Sequence, residues 1–156
     1  MNRLQLPEFF PLLPPRAASE REFLAWSYTS FEAHTSWSIF NTKMSGECFV
    51  RRLEYAPRDK FTLPFPDIYG AESPLPTEAA RNILSAFEAL CLPPFRQLPG
   101  INAFDGEECA VVLRNPMRGS PVNLRAKHSK LTKLFALTIE TLDRAVPAST
   151  LRTHGR

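Results

Sequence analysis

The chain reads as an α+β protein: an antiparallel sheet of about five strands with two helices on one face, a two-layer sandwich. Three observations predict it. Between Arg21 and Tyr55 the pattern has period two, rich in β-branched and aromatic residues. Thr77–Cys91 carries apolar residues at three- and four-residue steps. A short strand pair near residues 109–126 precedes a second apolar-faced helical stretch, 129–144.

Residues 1–18 form a proline-punctuated lead-in, an arm whose Leu4, Leu6, Phe9, Phe10, Leu12 and Leu13 can pack across the body. Then Phe23, Ala25, Ser27 and Thr29 alternate with Leu24, Trp26, Tyr28 and Ser30. The competing reading is a helix over Arg21–Tyr28, capped by Ser19 with Glu22 completing a capping box. Ala33–Asn41 and Cys48–Tyr55 read as two more strands, the second entered through Ser45-Gly46. Consecutive antiparallel strands make a meander the simplest arrangement.

Ala56–Pro76 contains five prolines and reads as a long loop. The helix Thr77–Cys91 follows, with Thr77 as its cap, Glu78 near the positive end of the dipole and Pro93-Pro94 as its stop. Leu92–Phe104 is a second proline-bearing loop and Asp105-Gly106 a turn. Cys109–Arg114 is a strand, 115–119 a hairpin loop and Val122–Ala126 the returning strand. Ser129 caps the last helix, with Leu131, Leu134, Phe135, Thr138, Leu142 and Ala145 on one face. Pro147 ends it, leaving 147–156 as a flexible tail. The division is thus one domain over 1–156, with its core at 19–146.

The composition suits one globular domain: 156 residues, 44% hydrophobic and 22% charged. The net charge of +3 is unevenly spread. Residues 1–75 hold eight Lys/Arg against nine Asp/Glu, and residues 76–156 hold eleven against seven. Between Cys109 and Ile139 six basic residues face no acidic one, a field that can steer an acidic partner or a phosphate backbone. Three widely spaced cysteines, Cys48, Cys91 and Cys109, read as buried free thiols and not as a disulfide framework. No apolar run near the start is long enough for a signal sequence or a membrane span, so the expectation is a cytoplasmic protein.

Catalytic constellations are sparse. No His-x-x-x-His or Cys-x-x-Cys pair supplies zinc spacing, and neither a Gly-rich phosphate loop nor a Gly-x-Ser-x-Gly elbow occurs. The sequence therefore nominates no catalytic residue, cofactor or metal site. The best enzyme case is His128 among Arg125, Lys127 and Lys130, a base beside a phosphate, and it lacks an evident second acid.

Arg51-Arg52 place one cation on each face of the sheet, so one points toward the helices and needs a carboxylate. Glu72 and Asp105 are the candidates. The pair reads either as an internal tie or as an exposed recognition site. Trp26, Tyr28 and Trp37 could form a stacking platform, but residues 23–42 carry no Lys or Arg to interleave with them.

Taken in order, Arg51-Arg52-Leu53-Glu54-Tyr55, Tyr69-Gly70-Ala71-Glu72-Ser73-Pro74-Leu75-Pro76, the helix, Pro93-Pro94-Phe95, Leu98-Pro99-Gly100-Ile101 and Phe104-Asp105-Gly106 form a pattern. It resembles small bacterial immunity proteins encoded beside polymorphic toxins, including those of type VI and Rhs systems. The chain departs from that plan in carrying Val122-Asn123-Leu124 where a Trp-bearing segment would follow the hairpin. The resemblance implies a non-enzymatic inhibitor that binds one cognate toxin, one to one, and occludes its active site. It implies partner contacts among Arg51, Arg52, Tyr69, Glu72, Asp105, Glu107, Glu108, Arg118 and Lys127. The alternative is a basic nucleic-acid-binding or adaptor module built on the 114–133 stretch.

Overall fold

The computed structural model describes residues 13–14, 19–28, 34–42, 45–56, 67–90, 108–114, 121–124 and 129–153. It is an α+β fold. Strands β1 (Ser19–Tyr28), β2 (His34–Thr42), β3 (Cys48–Ala56) and β4 (Asp67–Leu75) are followed by helix α1 (Thr77–Glu88). Then come β5 (Glu108–Arg114), β6 (Pro121–Leu124), helix α2 (Ser129–Ala145), a single 3-10 turn at Ala148–Thr150 and the short strand β7 (Arg152–Thr153). The strands form one antiparallel sheet in the order β6-β5-β1-β2-β3-β4-β7.

The period-two reading of Arg21–Tyr28 holds, and the helical alternative does not. The centre of β1, Phe23 to Ser27, is paired on both sides, with β2 and with β5. A bulge at Glu22 shifts the β1–β2 register, so that Arg21 opposes Phe40 and Phe23 opposes Ile39. The β2–β3 turn closes with Gly46 N–H donating to the Thr42 carbonyl at 2.8 Å. Gly46 has φ +69°, a conformation that costs a side-chain-bearing residue energy.

Two elements depart from expectation. Residues 67–75, expected within a loop, form β4, which pairs with β3 over nine positions, Cys48↔Leu75 to Ala56↔Asp67. Proline normally argues against a central strand. Pro74 is tolerated because β7 covers β4 only at Tyr69 and Gly70, leaving the other side of β4 at Pro74 without a strand partner among the described residues. The expected frayed tail is likewise structured as far as Thr153, where Arg152 and Thr153 add the edge strand β7. These two strands raise the count from five to seven among the described residues.

Helix α1 begins one residue after Pro76, whose carbonyl accepts the Ala80 N–H, and no side chain caps it. Thr77, the expected cap, is the first helical residue, and its hydroxyl donates to the Gly46 carbonyl at 3.4 Å. Both helices pack on the same sheet face. Ala80, Ile83 and Phe87 of α1 and Leu131, Phe135 and Leu142 of α2 share one core with Phe23, Trp37, Ile39, Val50, Val111 and Leu113. Phe23 and Phe87 meet at a centroid distance of 5.4 Å, tilted by 52°. Each fully buried large apolar side chain of this kind contributes about 1.5–3 kcal/mol.

Among the described residues the opposite face has no helix, yet it is not solvated. Leu24, Trp26, Ser36, Ser38, Phe40, Arg51 and Leu53 alternate with the helix-facing residues and are all buried. Among the described residues, Leu13, Tyr55 and Ile68 pack against Leu53 on this side.

Candidate partner-binding site

Because successive strand residues point to opposite faces, Arg51 and Arg52 belong to different environments. Arg51 lies on the helix-free face and is 0% exposed. Its register partner on β4 is Glu72. Nε and Nη2 donate to Glu72 Oε2 at 3.0 and 2.6 Å, and Nη2 also donates to the Pro14 carbonyl. The guanidinium sits 5.7 Å from the Phe40 ring centroid.

Arg52 lies on the helix face. Its Nη1 donates to Asp143 Oδ1 at 2.9 Å and to the Val146 carbonyl at 3.3 Å, while Nη2 reaches Glu54 Oε2 at 3.3 Å. Trp37 Nε1 donates to the same Asp143 oxygen at 2.7 Å, and the Arg52 guanidinium lies 5.8 Å from the Trp37 ring centroid. This node ties the last turn of α2 to the centre of the sheet. Both arginines are therefore internal ties.

Glu72 is the carboxylate expected to serve one of them. Asp143 was not nominated, since it lies 91 residues from Arg52. One signal for it exists in the sequence: an acidic residue directly follows Leu142, on the buried stripe of α2.

Of the other residues implied by the resemblance, Tyr69 is half-buried on β4, opposite Glu54 and next to β7. Glu108 opens β5 opposite Tyr28. Asp105, Glu107, Arg118 and Lys127 lie outside the described residues, as do His128 and Asp105-Gly106. The structure thus joins Arg51 to Glu72 and places Arg52 and Tyr69 on the other face of the sheet.

Trp26 and Trp37 do not form a common platform. Trp37 packs in the core under the helices, and Trp26 joins Leu24 and Val112 on the opposite face. His34 stacks on Tyr55, with centroids 5.4 Å apart and planes at 15°.

The helix-free face has a layered chemistry. One apolar group, Leu24, Trp26 and Val112, spans β1 and β5. Another, Leu13, Leu53, Tyr55 and Ile68, spans β3 and β4. Between them on β2 stand Ser36 and Ser38, each 0% exposed, whose hydroxyls have no hydrogen-bond partner among the described residues. Ser38 is the register neighbour of Arg51.

Outside this face, burial pushes the Cys48 thiol pKa up, only partly countered by a hydrogen bond with Thr77; nearby Glu22 raises it further and Arg81 lowers it. Among the described residues no three His, Cys, Asp or Glu side chains cluster as metal ligands would, and no helix is long and apolar enough to cross a membrane. The exposed side of α2 carries Lys130, Lys133 and Leu137, the last 63% exposed.

No family model matches the chain, and no curated protein or solved structure matches it.

Proposed function

We propose that the chain is an immunity protein that acts in the bacterial cytoplasm, without catalysis, by binding one cognate toxin molecule and occluding its active site. The order of short motifs from Arg51 to Gly106 motivates this reading. The observation that carries it is the internal use of both arginines. Arg51–Glu72 and Arg52–Asp143 lock strands to one another and helix α2 to the sheet. A scaffold locked in this way loses little conformational freedom on binding, which favours tight inhibition. Affinity then comes from a few anchors outside those ties, and charge sets the encounter rate.

Co-expression with the toxin encoded by the neighbouring gene, followed by pull-down, tests the proposal. The expected result is a stable one-to-one complex and a silenced toxin. A toxin that stays free and lethal refutes it.

The second reading, a nucleic-acid-binding module, draws support from exposed Lys130 and Lys133 on α2. It requires affinity for RNA or DNA that falls steeply with salt. Weak binding that ignores salt removes it.

A further inference from the structure

We propose that the outward ridge of α2 is the surface on which the chain docks its protein partner, and that this partner presents an apolar pocket bordered by carboxylates. Lys130, Lys133, Leu137, Glu140 and Arg144 are all exposed and follow one another at three- and four-residue steps. They therefore form one line along the helix, about 21 Å from end to end. The buried residues Leu131, Phe135, Thr138 and Leu142 leave this line free of the core. Leu137 stands at its middle. It is 63% exposed, and among the described residues no other large apolar side chain is so exposed. An aliphatic side chain with charged neighbours on either side has the layout of a binding anchor: a partner's pocket desolvates it, and the surrounding rim keeps water out.

Charge identifies the occupant. Glu140 and Arg144 pair with each other, so the net charge of the line comes from Lys130 and Lys133. Neither lysine has an ion pair among the described residues. Lys130 lies in the first turn of α2 and Lys133 in the next, and the first turn has no acidic residue. Cations at the positive end of a helix dipole work against the helix. They concentrate positive potential there, which complements an acidic surface and speeds encounter with it. A nucleic acid fits this line less well. It offers no aromatic side chain for a base to stack on, and Glu140 repels phosphate.

The inference rests on the function proposed above, under which the partner is the toxin. It moves the toxin contact from Arg51 and Arg52, which serve as internal ties, to the outside of α2.

Binding of the purified toxin to the full chain, measured by biolayer interferometry at low and high salt, tests it. Leu137→Ala should weaken the complex at least about tenfold, mainly through faster dissociation. Lys130→Glu/Lys133→Glu should slow association at least about tenfold and flatten its salt dependence. Neither change should lower the thermal midpoint, because Ala is a better helix former than Leu and Glu suits the start of a helix. Arg81→Glu, on the exposed side of α1, is the control and should dissociate from the toxin at the wild-type rate. Unchanged toxin binding in both α2 variants overturns the docking surface and leaves the immunity function standing.

If the wild type does not bind the toxin, the immunity function fails, and the surface is judged by a photo-crosslinker in the cell of origin. Benzoyl-phenylalanine in place of Leu137 should then join the chain to an identifiable acidic protein. The same probe in place of Arg81 should not, and Lys130→Glu/Lys133→Glu should abolish the adduct. The absence of an adduct peculiar to the Leu137 position, or an adduct with RNA or DNA, overturns the proposal.

Discussion

Replacing Asp143 with Ala removes the acceptor shared by Trp37 Nε1 and Arg52 Nη1. Trp37 Nε1 then has no other acceptor among the described residues, while Arg52 keeps only the longer contacts to the Val146 carbonyl and Glu54, both at 3.3 Å. Trp37 is buried, the Arg52 side chain is 11% exposed, and Arg52 Nε already lacks a partner among the described residues. Hydrogen bonds to a charged group contribute about 1.5–3 kcal/mol each. The Asp143 side chain is 39% exposed, so water weakens the ionic part. Taken together, the substitution should cost about 3 kcal/mol. For a chain of 156 residues this lowers the thermal midpoint by about 6–12 °C, measured by circular dichroism or calorimetry. Asp143→Asn keeps an acceptor but removes the charge, and should lose roughly half as much. Arg52→Met combined with Asp143→Leu should recover much of the loss, because no buried charge is then left unpaired. If Asp143→Ala melts within about 1 °C of wild type, α2 is not latched to the sheet through this node, and the scaffold role given to Arg52 is wrong.

Three further outcomes follow from the same packing. Glu72→Gln removes the carboxylate charge held against the fully buried Arg51 and should cost about 3–5 kcal/mol in urea unfolding, with Arg51→Met/Glu72→Leu recovering most of it. Phe87→Ala opens a cavity against Phe23 and should cost about 3–5 kcal/mol by chemical denaturation. It tests α1 more sharply than a change at Leu84, which is only partly buried. Cys48 is the group with pH leverage. Its thiol pKa is raised in the fold, so the unfolded chain loses the proton first, and the contribution to stability is intact below the ordinary thiol value of 9.0 and declines as pH rises above it. Alkylation at pH 8 followed by peptide mapping should find Cys48 protected until denaturant is added.

Legibility tracked the range of the interactions involved. The meander, α1 and α2 are readable because their signals, alternation and three-to-four spacing, lie within ten or so residues. The Arg51–Glu72 pairing was within reach because an arginine on a strand that must be buried demands a carboxylate. Three things were out of reach. β4 has Gly70 and Pro74 and little β-branched content, and it exists because β3 offers it a nine-position ladder. The strand at Arg152–Thr153 depends on β4 being there first. Asp143 meets Arg52 across 91 residues, a distance over which local pattern carries no information.

The chain alone determined an α+β architecture, its main strands and both helices, because backbone propensity and amphipathic period are local properties. It also determined that Arg51 and Arg52 face opposite ways, since a strand permits nothing else. Only the tertiary structure decided which carboxylate each arginine takes, that Trp26 and Trp37 lie on different faces, and that Ser36 and Ser38 are fully buried with no hydroxyl partner among the described residues. Those outcomes depend on register and on contacts between segments far apart in the chain, where a one-residue shift would reverse every side chain's environment.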